Sequence, residues 1–98
     1  MAIGVTIDVK GGTLAQYDQA AQKMGYRPGG PMGWPGSLFH WVTKTADGIR
    51  VTDVWETREQ FDKFAQEKMG PITQEVGLGA PELQFFEVHS YQTAGPKG

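Results

Sequence analysis

The sequence contains no cysteine and no asparagine, and it has neither a long apolar run nor an excess of basic residues. The absence of cysteine excludes disulfides and thiolate metal sites, so we expect a cytoplasmic protein. A formal charge of −2 gives no electrostatic footprint for nucleic acid. No apolar run approaches the roughly 18 residues that a membrane span needs. Nothing in the first residues resembles a secretory leader. We therefore expect neither a nucleic-acid nor a membrane partner.

The length of 98 residues indicates one domain, covering residues 1–98. Alternating apolar residues over 3–9 predict a first strand. Thr13 and Gln16 have the spacing of a helix capping box, and Gly25 suits the position just after a helix. The predicted buried stripe of this helix consists of Leu14, Tyr17, Ala21 and Met24.

Residues 26–37 include seven glycines or prolines and predict a long loop. Strands over 38–44 and 49–55 then form a hairpin. Thr57 and Gln60 predict a second capped helix, which Gly70-Pro71 should stop before a short turn ending at Gly77. The last strand is predicted over 83–91, and 92–98 as a frayed tail.

The order β-α-β-β-α-β predicts an α+β, ferredoxin-like fold, in which both helices cover one face of an antiparallel four-stranded sheet. The uncovered face would carry several apolar side chains, which suggests a homodimer that packs sheet against sheet. A monomer with scattered surface apolar residues is the alternative. The residues of the open face are Phe39, Trp41, Val54, Phe86 and Val88.

Asp53 is the leading candidate for a functional residue, because a carboxylate in an apolar strand is costly unless it is paired or solvated. A hairpin loop of two or four residues puts His40 and Asp53 on one face. The four-residue loop, which we favour, sets them opposite each other. A three-residue loop with a bulge would separate them. A His40–Asp53 pair could fix one imidazole tautomer and move a proton as a catalytic dyad, or it could be only a buried ion pair.

Other side chains are candidates for binding a small molecule, with core packing as the alternative for each. Trp34 and Met32 lie in the Gly/Pro loop and suggest a lid. Two histidines without cysteine give no convincing metal set, so we expect no metal and no cofactor. The candidate substrate-binding residues are Trp55, Trp34, Tyr17, Val51, Phe85 and His89.

The passage Val51-Thr52-Asp53-Val54-Trp55-Glu56-Thr57, followed by Phe61 and Phe64, resembles the dimeric α/β-barrel superfamily. It is most similar to the antibiotic-biosynthesis-monooxygenase-like group, which includes small actinobacterial proteins with a DVWES strand end. The resemblance implies a homodimer whose sheets pack face to face and a pocket between sheet and helices. It also implies that Trp55 lines the pocket.

The sequence departs from this group at the positions that carry its known reactions. Quinone-forming oxygenases and haem-degrading relatives use a strand asparagine near that tryptophan, and this chain has none. The haem-degrading members take an iron-ligating histidine from the second helix, but residues 57–69 contain no histidine. The Tyr/His pair that polyketide-cyclase relatives place around that helix is also missing. Acid–base chemistry would then depend on His40 and Asp53.

Two hypotheses for the function rank ahead of a third, a structural dimerisation module. The first is a homodimeric, cofactor-independent monooxygenase or cyclase that acts on an aromatic or polyketide-like substrate. The second is a ligand-binding or stress-related protein without catalysis. In both, the partners are a second copy of the chain and a small apolar or aromatic molecule.

Overall fold

Four antiparallel strands form one sheet, and the helices pack on one of its faces, in a computed structural model that describes residues 2–27, 29–30 and 33–92. The strand order is β2-β3-β1-β4, so the two central strands are β3 and β1. The predicted ferredoxin-like α+β fold is confirmed. The elements are β1 (Ile3–Lys10), α1 (Leu14–Met24), β2 (Ser37–Thr45), β3 (Gly48–Trp55), α2 (Arg58–Phe64), a π-helical turn (Ala65–Met69), α3 (Gly70–Glu75) and β4 (Glu82–Glu87).

The core lies between the helices and the two central strands. Alternate residues of β1 and β3 point toward the helices, as the period of two requires. Asp53 is the one charged residue among the buried side chains that the structure describes. The apolar core consists of Val5, Ile7, Val9, Ile49, Val51, Trp55, Phe61, Phe64 and Met69.

The caps of α1 are those that the sequence predicts. The Thr13 side chain accepts a hydrogen bond from the Gln16 backbone at 3.1 Å, and the Gln16 side chain accepts one from the Thr13 backbone at the same distance. Gly25 ends the helix in the left-handed conformation, with φ of 83°. The predicted stripe is wrong at Leu14, which is exposed, while Ala20 is buried. At 3.6 residues per turn, Leu14 lies about 80° around the helix from Met24, which places it at the edge of the contact.

The β2–β3 hairpin has a two-residue loop, Ala46-Asp47, because Thr45 still pairs with Gly48. The four-residue loop that we favoured is therefore wrong, although the register is the predicted one. A side chain at Gly48 would meet the Val9 carbonyl oxygen at 2.0 Å, so glycine lets the pairing continue up to the turn.

A β-bulge interrupts the start of β2. Ser37 pairs with Trp55, but Phe39 already pairs with Val54, so Leu38 is the extra residue. The bulge shifts the alternation by one, and Ser37 takes the place on the core face that the sequence pattern assigned to Leu38. From Phe39 onward the faces are as predicted.

The second helix does not stop at Gly70-Pro71, contrary to the prediction. It passes through the π-helical turn Ala65–Met69 into α3 and ends at Glu75. Pro71 has no N–H for the carbonyl four residues earlier, and its ring would clash there. The wider turn relieves this conflict, because the Gly70 N–H bonds five residues back to the Ala65 carbonyl.

Strand β4 ends at Glu87, earlier than the predicted end at Tyr91. Its neighbour β1 begins at Ile3, which pairs with Glu87. Beyond that pair there is one further bond, from the Val88 N–H to the Ala2 carbonyl at 3.1 Å. Strand length is therefore set by the partner rather than by the apolar pattern. Of the predicted tail, residues 93–98 lie outside the described part of the chain.

The uncovered face of the sheet carries large apolar side chains at one end. Phe39, Val54, Gly4 and Phe86 are neighbours in one row across all four strands. Phe39, Trp41 and Phe86 are 38%, 48% and 52% exposed. The other end of this face is charged, with Arg50 bonded to Asp8 at 2.7 Å. Among the helices that the structure describes, none is long and apolar enough to cross a membrane.

Candidate functional site

His40 and Asp53 face each other across the β2–β3 hairpin on the core side of the sheet. The His40 Nδ1 and Asp53 Oδ1 atoms are 2.6 Å apart. Asp53 is 3% exposed, whereas the His40 side chain, on the edge strand, is 19% exposed. The pair therefore has one member fixed in the core and one within reach of solvent.

Trp55 holds the second oxygen of the same carboxylate. Its Nε1–H donates to Asp53 Oδ2 at 3.2 Å, so both carboxylate oxygens have partners. The indole is almost completely buried and packs on Phe61 and Phe64, with ring centroids 5.7 and 5.1 Å away. Trp55 thus orients Asp53 from behind. It is not among the residues that line the two spaces described below, whereas the sequence resemblance implied a pocket position.

Tyr17 of α1 completes a polar chain at the outer side of His40. Its hydroxyl contacts His40 Nε2, and the two rings stack at 18° with centroids 5.9 Å apart. The carboxylate accepts from Nδ1–H, which leaves Nε2 of a neutral imidazole to accept from Tyr17. The tautomer is thus assigned from its partners. The order of groups is Tyr17, His40, Asp53 and Trp55.

The surroundings of Tyr17 keep its hydroxyl protonated. Burial, with a smaller contribution from the Asp53 charge, raises the pKa of Tyr17 from its usual 10 to about 12. Both causes disfavour a phenolate, since a buried negative charge is poorly solvated and would face a carboxylate. Tyr17 therefore remains a hydrogen-bond donor at neutral pH.

Tyr26 is a site residue that the sequence reasoning missed. The helix α1 ends in a Schellman motif, in which the Tyr26 N–H bonds to the Ala21 carbonyl at 2.9 Å and the Gly25 N–H bonds to that of Gln22 at 3.1 Å. This motif folds Tyr26 back along the helix, where its ring centroid lies 5.7 Å from that of His40. Burial raises the pKa of Tyr26 also. The Gly25 cap could have signalled this, because a hydrophobic residue after such a glycine usually packs back on the last turn.

An inner cavity of about 60 Å³ lies between the sheet and the helices, beside the polar chain. The π-helical turn and α3 contribute Met69 and Thr73 to its wall. The remaining lining residues are Ile7, Val9, Tyr17, Ala20, Ala21, Met24, Tyr26, Ser37, His40, Ile49, Val51, Asp53, Phe64 and Leu78.

An outer groove of about 580 Å³ runs along the edge strand β2, α1 and the start of the Gly/Pro loop. Its rim carries Asp18 and Arg27, one of each charge. Four residues line both the groove and the inner cavity, and we call them the neck: Tyr17, Ala21, Tyr26 and His40.

The structure brings together only part of the predicted set. His40, Asp53, Tyr17 and Val51 all line the inner cavity. Trp34 instead packs edge-on against a core aromatic ring, 5.6 Å between centroids. The positions of Phe85, His89 and Met32 relative to the cavity are described next.

Phe85 shares a row with His40 and Asp53 but lies on β4, at the opposite edge of the sheet. Three strand spacings of about 4.8 Å separate these edges, so Phe85 cannot reach the cavity. His89 follows the end of β4 and is exposed. Neither residue lines the inner cavity or the outer groove. Met32 lies outside the described residues, so the predicted lid can be followed only at Trp34.

No group of three or more potential ligands that could hold a metal ion occurs within residues 2–27, 29–30 and 33–92. The chemistry that the site offers is proton transfer. It joins a histidine with a fixed tautomer, a neutral tyrosine and a carboxylate at the boundary between the outer groove and the more apolar inner cavity.

No protein-family model matches the sequence, and no curated protein matches it either. Solved structures do match it. A protein from Chloroflexus aurantiacus J-10-fl, provisionally named an antibiotic biosynthesis monooxygenase, aligns with a TM-score of 0.63 and 18% identity, over 96% of this chain and 100% of that one. SnoaB, a cofactor-independent oxygenase from Streptomyces nogalater, aligns with a TM-score of 0.59 and 19% identity, over 92% and 94% of the two chains.

A third match is the monooxygenase from the gene ActVA-Orf6 of Streptomyces coelicolor, in complex with Nanaomycin D. It aligns with a TM-score of 0.58 and 14% identity, over 96% of this chain and 92% of that one. The chain therefore has the fold of the antibiotic-biosynthesis-monooxygenase-like structures, as its sequence resemblance implied. At these identities the likeness establishes the fold, and the reaction must be argued from the site.

Proposed function

We propose that the protein binds a small aromatic molecule in the outer groove and oxidises it with dioxygen, without a cofactor, by using His40 as a general base. The observation that carries this proposal is the chain Tyr17–His40–Asp53 at the neck. It places a basic nitrogen of fixed tautomer where a groove of ligand size meets the interior. Pockets for small molecules usually measure about 300–1,000 Å³, and the groove lies in that range.

The first step is a proton transfer to His40. An acidic C–H of the ligand, in a CH₂ flanked by aromatic rings, replaces the Tyr17 hydroxyl at Nε2 and gives up its proton there. The imidazolium is stabilised by the Asp53 carboxylate, 2.6 Å from Nδ1. Tyr17 is then free to donate its hydrogen bond to the ligand oxygen, on which the negative charge collects. Its pKa of about 12 keeps it protonated for this role.

The second step consumes dioxygen. The ligand carbanion adds to O₂, and the resulting peroxide takes up a proton and loses water to leave a ketone. One CH₂ and one O₂ thus become one C=O and one H₂O. The carbon loses four electrons and O₂ gains four, so no further oxidant or reductant is needed. Fold likeness to a cofactor-independent oxygenase is consistent with this chemistry.

Anthrone is a suitable probe, because its CH₂ lies between two aromatic rings and its oxidation gives anthraquinone. We expect O₂ consumption and anthraquinone formation in equal amounts. His40→Gln should lower kcat by roughly 10²-fold or more, the range of a lost general base. His89→Gln is the matched control on an exposed histidine and should leave the rate unchanged. A His40→Gln variant that oxidises anthrone like the wild type would refute the proposed function.

Simple ligand binding is the second candidate, and one observation favours it. Tyr17 already occupies His40 Nε2, so the polar chain is satisfied without a substrate. If the wild type binds anthrone, as measured by quenching of tryptophan fluorescence, but consumes no O₂, the protein is a binding protein.

We also propose that the protein is a homodimer that buries the open face of the sheet. The three exposed aromatic residues on this face form an apolar patch of the kind that marks an interface. Light scattering should give a mass twice the 10.7 kDa of the monomer. Phe86→Glu should yield monomers, whereas Leu14→Glu, at an exposed apolar residue on α1, should not. A wild-type monomer at micromolar concentration would refute the dimer.

A further inference from the structure

The inner cavity is too small for the aromatic ligand that the groove can accept. An apolar protein cavity that holds benzene measures about 150 Å³, and this one measures about 60 Å³. A water molecule needs about 10–15 Å³ on this scale, so the cavity has room for a diatomic molecule. The two spaces therefore suit two different molecules, which meet at the neck.

The wall of the cavity favours an apolar guest over water. Most of the lining side chains are aliphatic or aromatic. Four of the six polar side chains in the wall have partners of their own: His40 and Asp53 bond to each other, Trp55 donates to the second Asp53 oxygen, Tyr17 contacts His40, and the Thr73 hydroxyl donates to the Gly70 carbonyl at 3.0 Å. The Ser37 and Tyr26 hydroxyls are the two remaining polar groups. A buried water is stable only with two to four polar partners, and apolar cavities without them stay dry.

From its size, its wall and its place behind His40, we infer that the inner cavity is a dioxygen subsite, separated by the neck from the organic ligand in the groove. This inference rests on the proposed function for the role of the gas. The ligand carbanion forms at His40 Nε2, on the groove side of the neck. Dioxygen held in the cavity then reaches that carbon from the interior.

Xenon is the probe for the cavity, because it occupies apolar cavities and requires no turnover. Crystals of the wild type under xenon pressure should show one xenon among Ala20, Val51 and Met69. Ala20→Val adds two carbons to the wall and should abolish the xenon. Ala15→Val, the same change on the exposed side of α1, should retain it. If Ala20→Val folds poorly, Val51→Ile fills the cavity from the opposite wall with only one added carbon. Xenon binding to the wild type tests the cavity even if neither variant folds.

Kinetics distinguish a role in the reaction from mere occupancy. With anthrone as substrate, Ala20→Val or Val51→Ile should raise the KM for O₂ several-fold and leave the Kd of anthrone unchanged, since the ligand lies in the groove. Ala15→Val should change neither constant. An unchanged KM for O₂ in a filled variant that has lost its xenon would overturn the inference.

The two proposals fail in different ways. A cavity that holds ordered water and no xenon, in a protein that still oxidises anthrone, overturns the dioxygen subsite and leaves the proposed function intact. A wild type that takes up xenon but does not oxidise anthrone overturns the proposed function instead.

Discussion

One row of side chains crosses the sheet from edge to edge, and its two ends differ. The row runs His40, Asp53, Val5 and Phe85 on the core face. At the β2 end it finishes in a polar chain beside a cavity and a groove. At the β4 end, Phe85 packs on the ring of Phe61 with centroids 5.6 Å apart.

The β4 end of this row is closely packed, whereas the β2 end adjoins a cavity and a groove. Phe85 also lies under the Arg58 guanidinium, which is 3.5 Å from its ring centroid, so its outer side is covered as well. Phe61 is completely buried and contacts both Phe85 and Trp55. The fold therefore concentrates its close packing under α2, whereas the inner cavity and the outer groove lie beside α1. Substitutions at the two ends should separate stability from function.

Phe61→Ala should have the largest effect on stability. Truncating a fully buried phenylalanine costs about 3–5 kcal/mol, since a cavity replaces the ring. Denaturant unfolding should show a lower midpoint at an unchanged slope. Phe61→Leu, a smaller change of volume, should cost less. Under folding conditions, anthrone binding in the groove should persist in both variants, and its loss would mean that the two ends are coupled.

Asp53→Asn should act mainly on function. The amide keeps the shape but can offer an acceptor to only one of the two donors, His40 Nδ1–H and Trp55 Nε1–H. We expect anthrone oxidation to fall by roughly 10²-fold or more, with a stability loss of about 1–3 kcal/mol. Asp8→Asn, which breaks a partly exposed pair with Arg50, should change stability by less than about 1 kcal/mol and leave oxidation intact. Equal effects on oxidation would remove Asp53 from the mechanism.

The pH dependence of stability should reveal Tyr17. Its pKa is about 12 in the folded protein and about 10, the ordinary value for tyrosine, in the unfolded chain, so the unfolded chain loses this proton first. The contribution of the protonated Tyr17 to the free energy of unfolding is fully present below pH 10 and is lost as the pH rises from 10 to 12. Tyr17→Phe should flatten that alkaline decline, and ultraviolet absorbance should lose a late-titrating phenol. Tyr91→Phe, at an exposed tyrosine, should leave the decline unchanged. The same slope in Tyr17→Phe would contradict the assignment.

The two helix caps provide the smallest contrast. Thr13→Ala and Thr57→Ala each remove a side-chain acceptor for the first turn, at 3.1 and 3.2 Å, and should each cost about 1 kcal/mol. Only Thr13→Ala should also weaken anthrone binding, because α1 carries Tyr17 and leads to Tyr26. Equal effects of the two variants on the Kd of anthrone would mean that α1 does not shape the groove.

The sequence predicts what depends on local pattern. The element order, both helix starts and the opposition of His40 and Asp53 follow from periodicity, capping residues and the parity of one hairpin. The error in the predicted loop length does not change the pairing of His40 with Asp53, since hairpin loops of two and four residues give the same register. Leu38 was assigned to the wrong face because a bulge leaves no mark in an alternating pattern.

What the sequence could not predict depends on distant partners. The end of β4 is set by where β1 begins, so the apolar pattern up to Tyr91 was misleading. The second helix continues past Pro71 through a π-helical turn whose Met69 is buried in the core, and the local stop signal Gly70-Pro71 does not show this. The Gly25 cap indicates that Tyr26 folds back on α1, but Tyr17 and Tyr26 reach His40 only through the docking of α1 on the sheet, which no short-range signal specifies.

The two-residue hairpin loop has a consequence for how the site assembles during folding. His40 and Asp53 are 13 positions apart in the sequence, and both belong to one hairpin. Such hairpins form in about 1–10 μs, and short sequence separation keeps the entropy of closing the chain low. Tyr17 is 23 positions from His40, across the whole Gly/Pro segment, and joins when α1 docks. Refolding monitored by histidine and tyrosine signals should therefore show that His40 contacts Asp53 before it contacts Tyr17.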